Sequence, residues 1–120
     1  MATKQENDIQ IVEKNEGTKI AVRQNGVKVI FGDDDLSIRC DTRQRDIPVT
    51  VDICADDNGN LVIGVGTGRY YVAQVDIPAM QYTEVENETE EGGTREERVP
   101  LDMGDVIVTL WSIDDLPIMQ

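Results

Sequence analysis

Residues 19–31, KIAVRQNGVKVIF, alternate apolar and polar side chains on both sides of the dipeptide Asn25-Gly26. Asn-Gly is the preferred two-residue type I′ turn, because both central residues of that turn need a positive φ. With these two residues in the turn, Val22 lies opposite Val29 and the apolar side chains share one face. The stretch therefore predicts a β-hairpin with one buried face.

A second hairpin is predicted around Asn58-Gly59, with strands at 49–53 and 61–63. The glycine-rich residues 64–68 predict a bend after it. Other alternating or β-branched segments predict strands at residues 36–40, 70–77, 80–85 and 106–111. Since no long stretch shows a 3.6-residue period, the pattern predicts an all-β fold: a small antiparallel sandwich or barrel built from hairpins, with little or no helix.

The 120 residues are expected to form one domain, because a chain of this length supports one hydrophobic core. Residues 1–8 are predicted to be a polar N-terminal tail. Residues 84–97 contain many glutamates, two glycines and no apolar periodicity, so they are predicted to be an acidic, mobile loop.

The chain carries 24 acidic and 11 basic residues, a formal net charge of −13 at pH 7. Residues 84–120 hold 11 of the acids, whereas Arg95 and Arg98 are the only bases there. Nucleic-acid binders neutralise phosphates with Lys and Arg, and binding to anionic lipids needs the same positive charge. Direct binding to nucleic acid or to a membrane is therefore disfavoured.

The polar N-terminus does not resemble a signal peptide, and no apolar run approaches the roughly 20 residues that cross a bilayer. These features predict a cytoplasmic protein. Cys40 and Cys54 are expected to be free thiols that pack in the core, because a reducing compartment disfavours disulfides.

The chain contains no histidine, which excludes histidine-dependent catalytic triads and histidine-ligated zinc. The cysteines lack the spacing of redox motifs, and the glycines at 64–68 lack the spacing of nucleotide-binding loops. The chain is predicted to need no cofactor and not to be an enzyme. A carboxylate-based or metal-assisted enzyme stays as an alternative, because two carboxylates across a cleft leave no mark in a sequence.

Three adjacent carboxylates are the weak candidates for metal binding, since they could help to hold a calcium ion. They are Asp33, Asp34 and Asp35. The preferred interpretation of this triplet is a solvated turn.

A contrast in charge along the chain suggests protein–protein contacts. The locally basic strip contains Arg39, Arg43 and Arg45, whereas residues 84–97 are the most acidic segment. The strip of one subunit could meet the acidic segment of another, and such complementarity sets orientation and rate more than affinity. Pairing within the chain, or ordinary solvation, is the alternative. The candidate acidic contacts are Glu88, Glu90 and Glu91.

The C-terminal segment is apolar where chain ends are usually polar, so it is expected to dock on its own domain or on a neighbour. Its candidate contacts are Leu116, Ile118 and Met119. With catalytic chemistry missing and strand edges available, we expect a structural or assembly module that forms a homo-oligomer or joins a larger complex, such as a virion or phage particle. The alternative is a binding module for a soluble protein or a small ligand.

Overall fold

The computed structural model of this chain describes residues 8–33, 35–64, 70–88 and 92–114. Within these ranges the structure is almost entirely β, so the predicted all-β class is confirmed. The strands are β1 (Gln10–Glu13), β2 (Val22–Asn25), β3 (Lys28–Phe31), β4 (Leu36–Arg39), β5 (Val49–Ala55), β6 (Leu61–Ile63), β7 (Tyr70–Ile77), β8 (Tyr82–Glu86), β9 (Thr94–Arg98) and β10 (Ile107–Leu110). Short helical turns cover Cys40–Arg43, named α1, and Met103–Asp105.

The larger sheet has the strand order β1-β10-β7-β5-β6. Its neighbouring strands are antiparallel except for β1 and β10, which run parallel. The apolar, β-branched sequence of β10 correctly predicts a strand with neighbours on both sides. The sequence does not predict β1, because its residues QIVE follow a polar tail and are exposed on both faces.

The smaller sheet has the strand order β2-β3-β4. The first predicted hairpin is present, but its predicted register is wrong: Val22 pairs with Phe31, two residues beyond the expected partner. Val27 explains the difference, because its side chain packs against the core and its backbone oxygen accepts a 2.9 Å hydrogen bond from Cys40 N. The turn is therefore Gly26-Val27. A shift of two residues leaves the same side chains on the inner face.

The second predicted hairpin is confirmed, with β5 and β6 joined by a turn that contains Asn58 and Gly59. Asp56 closes this turn, since its Oδ1 accepts hydrogen bonds from the backbone N of Asn58 and of Asn60, both at 2.9 Å. The predicted bend is observed at Gly64, which has a φ of 92°.

The inner faces of the two sheets share one hydrophobic core. Its fully buried members include Phe31 and Ile38 on the smaller sheet, and Ile53, Ile77 and Val108 on the larger one. In the described residues each sheet keeps two edge strands, so the arrangement is a sandwich rather than a closed barrel.

Both cysteines are buried and unpaired, as predicted. Burial raises the pKa of Cys40 to about 11. The thiol is therefore protonated at neutral pH.

The prediction that residues 84–97 form a loop is wrong for the strand residues among them, and residues 89–91 lie outside the described ranges. Residues 84–86 belong to β8 and residues 94–97 belong to β9, and the two strands pair antiparallel along their whole length. The backbone ladder forms regardless of side-chain polarity. Gly92 and Gly93 supply the positive φ values, 68° and 85°, at the reversal, and Asn87 N donates a 3.0 Å hydrogen bond to the oxygen of Gly93.

Several predictions fall on residues outside the described ranges: residues 1–7 of the polar tail, Asp34, and the apolar contacts Leu116, Ile118 and Met119. In the part of the chain that the structure describes, no helix is long and apolar enough to cross a membrane.

Candidate functional site

The arm, defined as β8, β9 and the described residues that connect them, is a two-stranded sheet separate from the two sheets of the sandwich. Within the described ranges no third strand pairs with it. All of its strand residues are exposed except Val85, which is half-buried. A lone two-stranded sheet is at best marginally stable in water, so contact with another surface would stabilise the arm.

One face of the arm carries several negative charges. Glu84 lies directly opposite Glu96 in the ladder. Glu86 is the next residue of β8 on the same face. We call Glu84, Glu86 and Glu96 the acidic face. Because like charges directly opposite each other destabilise a sheet, this face lowers the stability of the free arm.

Gln44 anchors the base of the arm from inside the protein and is only 3% exposed. Its Nε2 donates to the backbone oxygens of Pro78, at 3.1 Å, and Ala79, at 3.3 Å. Its Oε1 accepts a 2.8 Å hydrogen bond from Nη2 of Arg98. A single amide supplies both donors and acceptors, so Gln44 ties the chain before β8 to the end of β9.

Further contacts hold the two strands where they leave the sandwich. Arg98 Nη2 also donates to the backbone oxygen of Asp41 in α1, at 3.1 Å. The Tyr82 hydroxyl donates to Oδ1 of Asp46 at 3.0 Å, and this hydrogen bond to a carboxylate raises the pKa of Tyr82. The base of the arm is therefore fixed, whereas the strands beyond it are solvated.

A cavity of about 180 Å³ lies beside the base of the arm. Its lining includes Gln44, Pro78, Leu101, Asp102 and Asp105. Pockets for small organic ligands usually measure about 300–1,000 Å³, so this cavity is small for such a ligand.

The outer face of the smaller sheet carries basic residues. Lys28 on β3 lies directly opposite Arg39 on β4, and both are exposed. Arg23 on β2 pairs with Ile30, two residues along β3 from Lys28, and so lies on the same face. We call Arg23, Lys28 and Arg39 the basic face.

The predicted strip of three arginines is divided between elements. Arg39 joins the basic face, and its Nε and Nη2 donate to the carboxylate of Asp41 at 2.8 and 3.3 Å. This hydrogen-bonded guanidinium lowers the pKa of Asp41. Arg43 is half-buried in α1, whereas Nη1 of Arg45 donates to two nearby backbone oxygens and is thereby held to its own turn.

Two of the three carboxylates that were candidates for a metal, Asp33 and Asp35, act in a turn. Asp35 Oδ2 accepts a hydrogen bond from Asp33 N at 3.3 Å, and a Cβ on Gly32 would collide with the same oxygen. Among the residues described, no group of three or more cysteine or carboxylate side chains is arranged to hold a metal ion.

Polar side chains on the outer face of the larger sheet satisfy one another. Thr50 Oγ1 donates to Asp76 Oδ1 at 2.8 Å, and Gln74 Nε2 donates to Asp52 Oδ1 at 2.9 Å. The arm and the basic face are therefore the better candidates for contact with a charged partner.

Of the predicted acidic contacts, Glu88 is the one that lies in the described part of the arm. Glu88 is exposed beyond β8, and Glu90 and Glu91 fall outside the described residues. The sequence interpretation missed the Glu84–Glu96 pair because it relied on apolar alternation. The Gly92-Gly93 dipeptide, which follows a segment that contains Tyr, Thr and Val, was the signal that could have shown the hairpin.

Comparison with known proteins gave no match: no family model, no curated protein and no solved structure corresponds to this chain.

Proposed function

We propose that this chain is a non-catalytic structural module that self-associates or joins a larger protein complex, and that the arm contacts the neighbouring protein. The observation that carries the proposal is a two-stranded arm, anchored at its base and solvated on both faces. In such a geometry the base sets the direction of the arm, and the exposed strands are left for a partner.

The arm is not needed to complete the core of its own sandwich. Among the described residues of the hydrophobic core, none comes from the arm. An element that adds little to its own fold, and carries an unfavourable pair of like charges, is explained more readily by intermolecular contact than by stability.

The charge of the arm limits the class of partner. Glu84, Glu86 and Glu96 repel phosphate groups, and the whole chain carries −13. A protein surface that presents Lys or Arg complements this face, whereas a nucleic acid or an anionic membrane does not.

The proposal is tested by shortening the arm. Residues 84–96 are replaced by Asn-Gly, so that Tyr82 and Arg98 keep their contacts at the base. Molecular mass is then measured by light scattering up to roughly 1 mM, the concentration at which a contact worth about 4 kcal/mol is half formed. We expect the full chain to show masses above 13.4 kDa and the shortened chain to stay at the mass of one copy.

Circular dichroism serves as the control, since the shortened chain should keep the cooperative unfolding of a sandwich whose core it still contains. A full chain that is a monomer at every concentration contradicts self-association. An oligomer whose mass per copy is unchanged by the shortening contradicts a role for the arm.

A further inference from the structure

From the placement of charge we infer that the acidic face of the arm docks on the basic face of a second copy of this chain, so that Glu84 and Glu96 contact Lys28 and Arg39. The inference rests on the proposed function and names the surface that receives the arm.

The two surfaces match in spacing as well as in sign. Glu84 and Glu96 are directly opposite partners in one antiparallel ladder, and Lys28 and Arg39 are directly opposite partners in another. In both ladders such partners have Cβ atoms about 4.5–5.5 Å apart. Each pair repels within its own sheet, and a face-to-face arrangement relieves both repulsions at once.

The basic face is accessible for this contact. The Arg39 side chain is 57% exposed, and Asp41 uses only its Nε and Nη2. A guanidinium has five N–H donors, so Arg39 keeps donors for another carboxylate. On the same face Asn25 and Ser37 are small, exposed polar residues, whereas Ile30, which lies between Arg23 and Ser37, is buried.

Within the described residues, three of these charges have no ion-pair partner in their own chain. The ion pairs of the described residues include Lys19 with Glu13 and Arg39 with Asp41. Within those residues, Lys28, Glu84 and Glu96 form no ion pair. Their partners are therefore expected on another copy.

The arm and the basic face are different surfaces, so the contact is heterologous. Repeated head-to-tail contacts of this kind give a closed ring when the rotation between copies closes, and an open filament when it does not. A ring or a filament is therefore the expected form of the assembly.

The test exchanges the charges of the two surfaces. One variant carries Glu84→Lys and Glu96→Lys, and the other carries Lys28→Glu and Arg39→Glu. Each pair of like charges is replaced by a pair of the opposite sign, so the repulsion across each ladder is retained. Arg39→Glu also removes the ion pair with Asp41, so circular dichroism checks that the second variant is folded. Each variant alone should associate at least about tenfold more weakly than the wild type, because like charges then face each other between copies.

An equimolar mixture of the two variants should regain association. The arm of the first variant, which has become basic, fits the outer face of the smaller sheet of the second variant, which has become acidic. The unchanged acidic face of the second variant fits the unchanged basic face of the first. The loss in the first variant is diagnostic because its two substitutions reduce the net charge from −13 to −9, which by itself would favour association.

Glu97→Lys and Lys14→Glu are the matched controls. Glu97 is adjacent to Glu96 but lies on the opposite face of the arm, and Lys14 lies just beyond β1. If these controls lose association as fully as the charge-exchanged variants, or if the mixture does not recover, the inference is overturned. When shortening the arm abolishes assembly but Lys28→Glu with Arg39→Glu does not, the proposed function survives and this receiving surface is wrong.

Discussion

Gln44 shows how one buried amide positions an exposed element. It lies just after α1, yet its hydrogen bonds reach Pro78 and Ala79 before the arm and Arg98 at the end of it. An unpaired polar group in the interior is costly, so the amide restricts the chain to conformations in which all three partners are in place.

Replacing Gln44 with Leu should therefore lower the free energy of unfolding by about 1–3 kcal/mol, because the backbone oxygens and the guanidinium lose a buried partner. Urea denaturation measures this change. Gln81→Leu is the matched control: Gln81 is an exposed glutamine near the same base, so its replacement should shift stability by no more than about 0.5 kcal/mol. Equal losses in the free energy of unfolding for the two substitutions would contradict an anchoring role for Gln44.

Burial of Cys40 makes the stability of the fold depend on pH in the alkaline range. Its pKa rises from an ordinary 9.0 to about 11 in the folded chain. The unfolded thiol therefore ionises first, and the stability contributed by the buried neutral thiol is complete below about pH 9 and is lost as the pH rises towards 11. We expect the urea midpoint of Cys40→Ala to fall less steeply between these pH values than that of the wild type. Parallel slopes for the two proteins would contradict the burial of an ionisable thiol.

At the scale of the element, the arm combines a fixed base with an unfavourable face. The like-charge pair Glu84–Glu96 lowers the stability of the ladder on which contact with a partner depends. Natural proteins keep such unfavourable features where they serve binding.

Glu84→Thr should stabilise the free arm, because it removes the repulsion and places a β-favouring residue opposite Glu96. A gain of about 0.2–1 kcal/mol would slow hydrogen exchange of the arm amides by up to about fivefold. The same substitution should weaken association.

Glu97→Thr provides the comparison, since Glu97 lies opposite Thr83 and has no like charge across the ladder. If the two substitutions change the hydrogen-exchange rates of the arm equally, the repulsion between Glu84 and Glu96 has no measurable effect.

The elements differ in how far they could be predicted from the sequence. The bounds of β7 agree with the prediction because consecutive apolar and β-branched residues are buried there by neighbours on both sides. The predicted strand at residues 80–85 covers most of β8, whereas β1 and β9 were missed because their residues are exposed and show no apolar alternation. The register of the first hairpin was wrong because a tertiary contact of Val27 overrides the preference of Asn-Gly. The anchoring role of Gln44 depends on residues far along the chain, so no local pattern reveals it.

At the scale of the whole molecule, opposite charges are segregated within a chain of net charge −13. The arm is acidic, whereas the outer face of the smaller sheet is basic. Two effects therefore oppose each other when copies meet: long-range repulsion between the negative chains and short-range attraction between the two surfaces.

Salt should separate these effects. The Debye length is about 30 Å at 0.01 M, about 8 Å at 0.15 M and about 3 Å at 1 M. At low salt the repulsion between whole molecules is not screened. At high salt the attraction between the acidic face and the basic face is screened as well. Association measured by sedimentation should therefore be strongest at intermediate ionic strength. A steady rise of association up to 1 M salt would instead indicate a contact dominated by apolar surface.

Contact between the arm and another copy is tested most directly by zero-length carbodiimide cross-linking, which joins a carboxylate to an amine only when the two touch. Unlabelled and ¹⁵N-labelled chains are mixed, cross-linked and digested, and mass spectrometry identifies the joined peptides. The structure predicts that peptides containing Glu84 or Glu96 are joined to the peptide containing Lys28, and that many of these products combine one labelled and one unlabelled chain. Cross-links confined to single chains, or an assembled protein whose arm glutamates remain unmodified by any lysine, would contradict assembly through the arm.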